Sequence, residues 1–315
     1  MSERLPLGID LGESRVRVAA LAGQGESLRL VGLGCSDVTS TTAEALAAAL
    51  RELDAGQKTA VTMIRTCDAS LRSARFPALS KREARRAAYF EGIASFGDED
   101  GPIAVRSMTL RHDCGEDRML IAATPVVAVQ RAIAVLMSAG LRASRIDHEG
   151  CVLARSRQLP LLDIGLRRST LIALSGGIPI ARTIMLGGIH FTNALADELG
   201  IDAEMAELRK RTIGLGGAGS IVLGEFCAAV ASELAALRDG ERIATDHLHV
   251  SGNGARLPQI ILALERTLAI RISPVVLRDL LATDLPDQAA TFAALDSFNA
   301  IVAAIPNQIS ARAVA

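Results

Sequence analysis

A five-residue phrase occurs twice in this chain, Gly8-Ile-Asp-Leu-Gly12 near the start and Leu161-Leu-Asp-Ile-Gly165 just past the middle. Each copy is an apolar run ending in an acid and a glycine, followed by a hydroxyl and a second apolar run. Such a pattern reads as a β-hairpin whose tight turn needs glycine. In the first copy Arg15 to Leu21 forms the return strand. Asp10 there can orient a hydrated Mg²⁺, while the amides from Gly12 to Ser14 and the Ser14 hydroxyl suit phosphate oxygens. Arg15 and Arg17 add positive charge. In the second copy Asp163 is the acid, Gly165 the turn, Thr170 the hydroxyl, and Ser169 to Ser175 the return strand. One such hairpin alone is an ordinary turn.

A third element gives the pair its meaning. His249-Val-Ser-Gly-Asn-Gly-Ala-Arg256 follows a short apolar strand and precedes a helical pattern from Leu257 to Leu264. Gly252 and Gly254 lack the β-carbon that would keep a nucleoside at a distance. With Asn253 and Ala255 they form a turn whose following helix start offers amides to an anion. Two phosphate hairpins and a late glycine turn, in that order, describe a two-lobed α/β protein closing on a nucleotide.

These residues resemble the actin-like ATPase superfamily, and within it the PilM-type proteins of type IV pilus assembly. Arg75-Phe-Pro-Ala-Leu-Ser-Lys-Arg-Glu-Ala is similar to the family's proline-containing segment leading into its inserted subdomain. The stretch from Ala139 through Asp147 and Glu149 to Ala154 resembles the return to the first lobe, and Gly187-Gly188 with Phe191-Thr192 the glycine pair and helix of the second. The resemblance implies a two-lobed actin-like (ribonuclease H-like) fold with a small α/β insert. It implies ATP and Mg²⁺ held between the lobes, the metal at Asp10 and Asp163. The implied nucleotide contacts are Asp10, Gly12, Ser14, Arg17, Asp163, Gly165, Thr170, Gly187, Gly188, Glu207, Lys210, Gly252, Asn253, Gly254 and Ala255. Asp147 and Glu149 stand where relatives position the attacking water, which with Asp10 and Asp163 makes the implied catalytic set of a weak ATPase. Arg17 departs from the lysine usual in the family; a cation remains with a different geometry. The implied partner is the cytoplasmic N-terminal tail of a PilN-like inner-membrane protein, seated by the insert, with self-association a further option. A nucleotide-free scaffold of the GspL type and a sugar or small-acid kinase share the same hairpins.

Composition is compatible with that picture. With 315 residues, half of them hydrophobic, the chain can bury two cores. Aromatics are only 3%, Trp is absent and the formal charge is −1, which disfavours nucleic acid read by base stacking or phosphate attraction. Cys35, Cys67, Cys114, Cys151 and Cys227 are too scattered for a metal cage and read as reduced packing residues. No signal peptide is visible and no unbroken apolar run approaches the roughly 20 residues that span a bilayer. The expected location is cytoplasmic, peripheral at the inner membrane through a partner, without direct insertion.

The coarse reading runs β-β-β-α-β over residues 5–64 and places an α/β insert at about 71–139, with a helix at 81–94 and exposed acidic turns at 97–101 and 112–117. The first lobe is expected at 1–160 and the second at 161–315, including a helical subdomain at about 188–245. There, helices at 203–210 and 220–237 flank Gly214-Leu-Gly-Gly-Ala-Gly219. That loop lacks the Lys-Ser/Thr of a Walker motif and reads as a mobile connection. Glu204, Glu207 and Lys210 at helical spacing suit local ion pairs. His112, His148, His190, His247 and His249 form no ligand cluster. The end of the chain, from Phe298, reads as a packed helix with a loose tail.

Overall fold

The computed structural model describes residues 5–53, 56–113, 116–243 and 245–306. The described residues divide into two compact units: those up to Gln24, within Leu30–Arg155 and from Asn299 to Pro306 form one, those within Gly25–Arg29 and Ser156–Phe298 the other. The described residues from Asn299 on belong with the first unit.

The first unit is built on a five-stranded sheet. Its strands are β1 (Leu7–Leu11), β2 (Arg15–Ala22), β3 (Arg29–Asp37), β4 (Thr59–Ile64) and, after the insert, β8 (Arg142–His148), in the order β3-β2-β1-β4-β8. β1 pairs antiparallel with β2 and parallel with β4, and β4 pairs parallel with β8. The helix α1 (Thr42–Leu53) turns Ala45, Leu46 and Ala49 inward at helical spacing and packs on β2. Together with Leu7, Ile9, Val16, Val18 and Leu136 these residues form one apolar core.

The insert is a second layer in the same unit. Its strands β5 (Ser70–Pro77), β6 (Ile103–Asp113) and β7 (Glu116–Pro125) form an antiparallel sheet in the order β5-β7-β6. Between β5 and β6 runs α2 (Lys81–Ile93), whose Ala84 and Ala88 pack with Met119 and Ile121. The helix α3 (Val126–Ser138) then leads back to β8. Of the exposed acidic turn expected at 112–117, His112 and Asp113 lie in β6 and Glu116 and Asp117 in β7, with Glu116 exposed but Asp117 buried, only 3% exposed; Cys114 and Gly115 lie outside the described residues. The other four cysteines are free thiols.

The second unit repeats the first sheet. Its strands β9 (Leu161–Ile164), β10 (Ser169–Ser175), β11 (Ile178–Ile184), β12 (His247–Ser251) and β13 (Arg271–Pro274) run in the order β11-β10-β9-β12-β13. The pairing senses match: β9 is antiparallel to β10 and parallel to β12, which is parallel to β13. Helices α5 (Gly188–Leu199), α6 (Ala203–Thr212) and α7 (Ser220–Glu241) separate β11 from β12, and α8 (Ile260–Leu268) links β12 to β13. Among the described residues α7 is the one helix long and apolar enough to cross a bilayer by length and composition. It buries Phe226, Val230, Leu234 and Leu237 along one stripe, which packs on α5, α8, β10 and β11, while 28% of its apolar window is buried. The last helix, α9 (Asp287–Ala304), departs from helical geometry at Ser297, beside the division between the units.

The loop between α6 and α7 is tied down at both ends, unlike the mobile connection its glycines suggest. Leu215 is buried and its amide donates to Gln259, while the Gly219 amide donates to Glu198. The glycines serve left-handed backbone at 214, 216, 217 and 219.

Candidate functional site

In the first hairpin Asp10 lies directly across from Arg17, and Leu11 from Val16, leaving Gly12 to Ser14 as the turn. A β-carbon on Gly12 would sit 2.1 Å from the Arg15 carbonyl oxygen, so the turn closes only around glycine. Val38 donates to the Ser14 carbonyl and ties the turn to the end of β3. The Ser14 side chain is exposed. Arg17 is folded back into the hairpin: its Nη1 is 3.4 Å from Asp10 Oδ2 and 3.3 Å from the Arg15 carbonyl. Both side chains of this pair are largely buried, 10% and 14% exposed.

The strands β1, β4 and β8 are parallel, so their carboxyl ends open on the same edge, the usual ligand edge of an α/β sheet. Arg65, directly after β4, donates to Glu13 Oε1 at 2.9 Å and to the Leu11 carbonyl at 3.3 Å. Burial works against its charge, yet Asp10, Glu13 and Glu149 together hold its pKa above the ordinary arginine value. Glu149 opens the short helix α4 (Glu149–Leu153) and is buried. Its Oε2 accepts from the amide and hydroxyl of Thr66 at 3.0 and 2.8 Å. His148 caps α4 by accepting from the Gly150 amide at 3.0 Å, and burial pushes its pKa down to about 4. Asp147 points into a different set: its carboxylate is held by Arg145 at 2.7 Å and by Arg155. Of the two residues read as orienting water, Glu149 therefore shares a field with Asp10, while Asp147 is locked between two arginines. Arg65 was missed in the sequence; a lone cation at the end of an apolar strand was its one signal.

The second hairpin has the same register, with Asp163 across from Thr170. Gly165 donates to the Arg168 carbonyl, and a β-carbon on Gly165 would lie 2.7 Å from that oxygen. Asp163 is 8% exposed and its Oδ1 accepts from Ser251 at the end of β12, 2.8 Å away. Thr170 is also buried.

Gly187 and Gly188 begin α5 against this hairpin. A β-carbon on Gly187 would be within 2.8 Å of Gly165 O, Arg168 N and Leu166 O. The first amides of α5 are already engaged, Gly188 donating to Gly165 and Ile189 to Leu166. Gly187 thus serves close packing of α5 on the hairpin, whereas a β-carbon on Gly188 would meet nothing nearer than 3.6 Å. Lys210 donates to the Gly188 carbonyl at 2.8 Å and to Thr192 at 2.6 Å, and pairs with Glu207 at 2.6 Å. Glu207 also accepts from Thr192 and Arg211. Burial lowers the Lys210 pKa against the pull of Glu207, and the three donors around Glu207 outweigh its own burial to hold it below the usual carboxylate value. The pair expected to touch ribose and base fastens α6 to α5.

In the late turn the glycines face protein atoms of β9. Gly252 has φ +83°, and a β-carbon there would meet Ile164 O at 2.5 Å and Asp163 Oδ1 at 2.9 Å; on Gly254 it would meet Ile164 Cγ2 at 2.2 Å. The missing side chains make room for β9. The turn from Asn253 to Arg256 is a 3₁₀ segment, with Asn253 exposed and Ala255 buried, and α8 starts at Ile260, past Pro258, instead of at Leu257. The turn nonetheless brings Ser251 and Gly252 onto Asp163, joining two of the three expected elements within one unit.

No group of three or more His, Cys, Asp or Glu able to hold a metal occurs among the described residues. The His247 and His249 rings lie 4.3 Å apart on β12, tilted by 47°, and His190 accepts from the amide at its own helix start.

No family model matches the chain, and no curated protein matches it in sequence. Solved structures do. The chain is similar to one in the PilM–PilN type IV pilus biogenesis complex, with a TM-score of 0.81 and 20% identity, over 95% of this chain and 97% of that one. It is also similar to the ethanolamine utilization protein EutJ from Carboxydothermus hydrogenoformans, with a TM-score of 0.57 and 14% identity, over 95% of this chain and 89% of that one. At these identities the likeness establishes the fold, the two-lobed actin-like fold with a small α/β insert.

Proposed function

We propose that this chain is a PilM-type actin-like protein. In this reading it binds ATP with Mg²⁺ and acts as a cytoplasmic assembly component of a type IV pilus or related inner-membrane machine. It reaches that membrane through the cytoplasmic tail of a PilN-like protein. The observation that carries the reading is the duplicated sheet, each copy ending its first strand in an acid and a glycine turn. The full-length fold match to a chain of the PilM–PilN complex supports the pilus assignment. Asp10 and Asp163, each near the end of the first strand of its own unit's sheet, are carboxylates of the kind that would hold a magnesium ion together with waters and phosphate oxygens. The ion would neutralise charge on the phosphates. The Gly12 to Ser14 turn orients phosphate by its amides, and Glu149 with Arg65 sets the field in which water would be positioned.

The test is calorimetric titration with Mg-ATP of wild type, Asp10→Ala and Asp163→Ala, and separately with a synthetic PilN-type tail peptide. Saturable binding by wild type, weakened at least tenfold in each variant, supports the nucleotide half. A second reading, a nucleotide-free scaffold, is favoured by the Arg17–Asp10 pair and the engaged amides of α5. Tail binding without any nucleotide heat in wild type would select it.

A further inference from the structure

Much of α2 is turned outward. Its inward residues Ala84, Ala88 and Gly92 are buried against the insert's sheet. At about 100° per residue, Arg82, Arg86, Phe90 and Ile93 fall within one arc of about 80° turned away from that stripe, with Tyr89 and then Arg85 on its flank. Lys81, Arg82, Arg85, Arg86, Tyr89 and Phe90 are all exposed, the two rings 47% and 60% so. Tyr89 is the chain's single tyrosine, and it meets Phe90 edge to face at 5.9 Å.

Charge on this helix is unbalanced. Its two carboxylates are committed elsewhere: Glu83 closes the capping box with Ser80, and Glu91 pairs with Arg72 from β5. Among the described residues none of the four cations Lys81, Arg82, Arg85 and Arg86 has an ion-pair partner. Two of them sit in the first turn, where the helix dipole disfavours positive charge, and Arg82 faces like charge at both i+3 and i+4. These are local costs with no internal compensation, a pattern that marks a surface kept for something outside the fold.

We propose that this face of α2 adsorbs to an anionic phospholipid surface, cations among the headgroups and the Tyr89–Phe90 turn at the acyl boundary. The arrangement suits a lipid plane because the face is a convex helix side carrying large aromatics next to guanidinium groups, the combination found in interfacial helices. The proposal does not depend on the nucleotide or tail reading. It concerns adsorption alone and involves no spanning segment. The acidic stretch at 98–100 begins past the end of α2.

The experiment is flotation of the full chain with vesicles of phosphatidylglycerol and phosphatidylethanolamine in equal parts, against pure phosphatidylcholine. Wild type should float with the anionic vesicles only, and release as salt rises. Each cation near an anionic surface contributes roughly fivefold, so the triple variant Arg82→Gln, Arg85→Gln, Arg86→Gln should lose about a hundredfold in partitioning. The double variant Tyr89→Ser, Phe90→Ser should lose roughly tenfold. Circular dichroism checks that both variants fold, and the salt dependence of wild type reads the charge contribution without any substitution. Wild type that stays with the protein fraction, partitions equally into neutral vesicles, or binds polyglutamate or DNA but not vesicles overturns the proposal. So does a folded triple variant that floats like wild type.

Discussion

At the residue scale, His148 converts burial into pH dependence. Its imidazole accepts a bond from Gly150 and is held near pKa 4, against 6.5 when free. The folded value is the depressed one, so its contribution is fully present above pH 6.5 and is lost as pH falls toward 4. At full loss it amounts to about 3 kcal/mol. Urea unfolding between pH 7 and 4 should therefore show a stability slope that His148→Asn flattens, since asparagine caps without titrating. An unchanged slope in that variant would show that His148 is not the titrating group. Gly252 makes a second prediction. With φ +83° and backbone atoms within 3 Å of a would-be β-carbon, Gly252→Ala should cost at least about 2 kcal/mol in thermal or urea unfolding. The need for glycine at 252 and 254 was legible from the sequence, but not what approaches there, because a missing side chain does not say which neighbour fills its place. Arg65 shows the converse. Its role comes from acids at positions 10, 13 and 149, which no local pattern connects.

At the scale of elements, patterns with a strong apolar period were readable and those closed by tertiary contacts were not. The helix read at 81–94 is Lys81–Ile93, with Ala84, Ala88 and Gly92 along one inward stripe. The strand Ile178–Ile184 went unread because its alternation is broken by Pro179 and the half-polar Ala-Arg-Thr run, and pairing with β10 supplies what the pattern lacks. Likewise α9 begins at Asp287, well before the helix read from Phe298. Glu207 and Lys210 were rightly placed on one helix face, yet their partners Thr192 and Gly188 lie on α5. Lys210→Met should therefore loosen the α5–α6 contact, leaving Glu207 with fewer donors in a half-buried setting, and cost about 1–3 kcal/mol. Hydrogen exchange localised to α5 and α6 would read it. Faster exchange confined to α8 instead would contradict this placement.

At the scale of the whole molecule, the sequence announced duplication through ten residues and the sheets repeat it through ten strands. What it could not announce is that the first unit draws on both early and late chain. Gly8 on β1 faces the last turns of α9, where a β-carbon would lie 2.0 Å from the Ala300 carbonyl and 2.5 Å from the Ala304 amide. Backbone meets backbone there, so the contact depends on glycine on one side and on the alanine-rich segment from Ala300 to Ala304 on the other. Ile301 and Val302 are wholly buried at the same place. Removing residues 299–315 takes both from the core; at about 1.5–3 kcal/mol each, plus the void left over β1, the loss is comparable to the stability of a typical domain. Limited proteolysis of the truncated chain should therefore digest the first unit while a fragment covering about residues 156–298 resists, and Gly8→Ala in the full chain should reproduce the same asymmetry more weakly. Equal protection of both units after truncation would mean that β1 does not need α9, and that the tight approach at Gly8 contributes little to holding the first sheet.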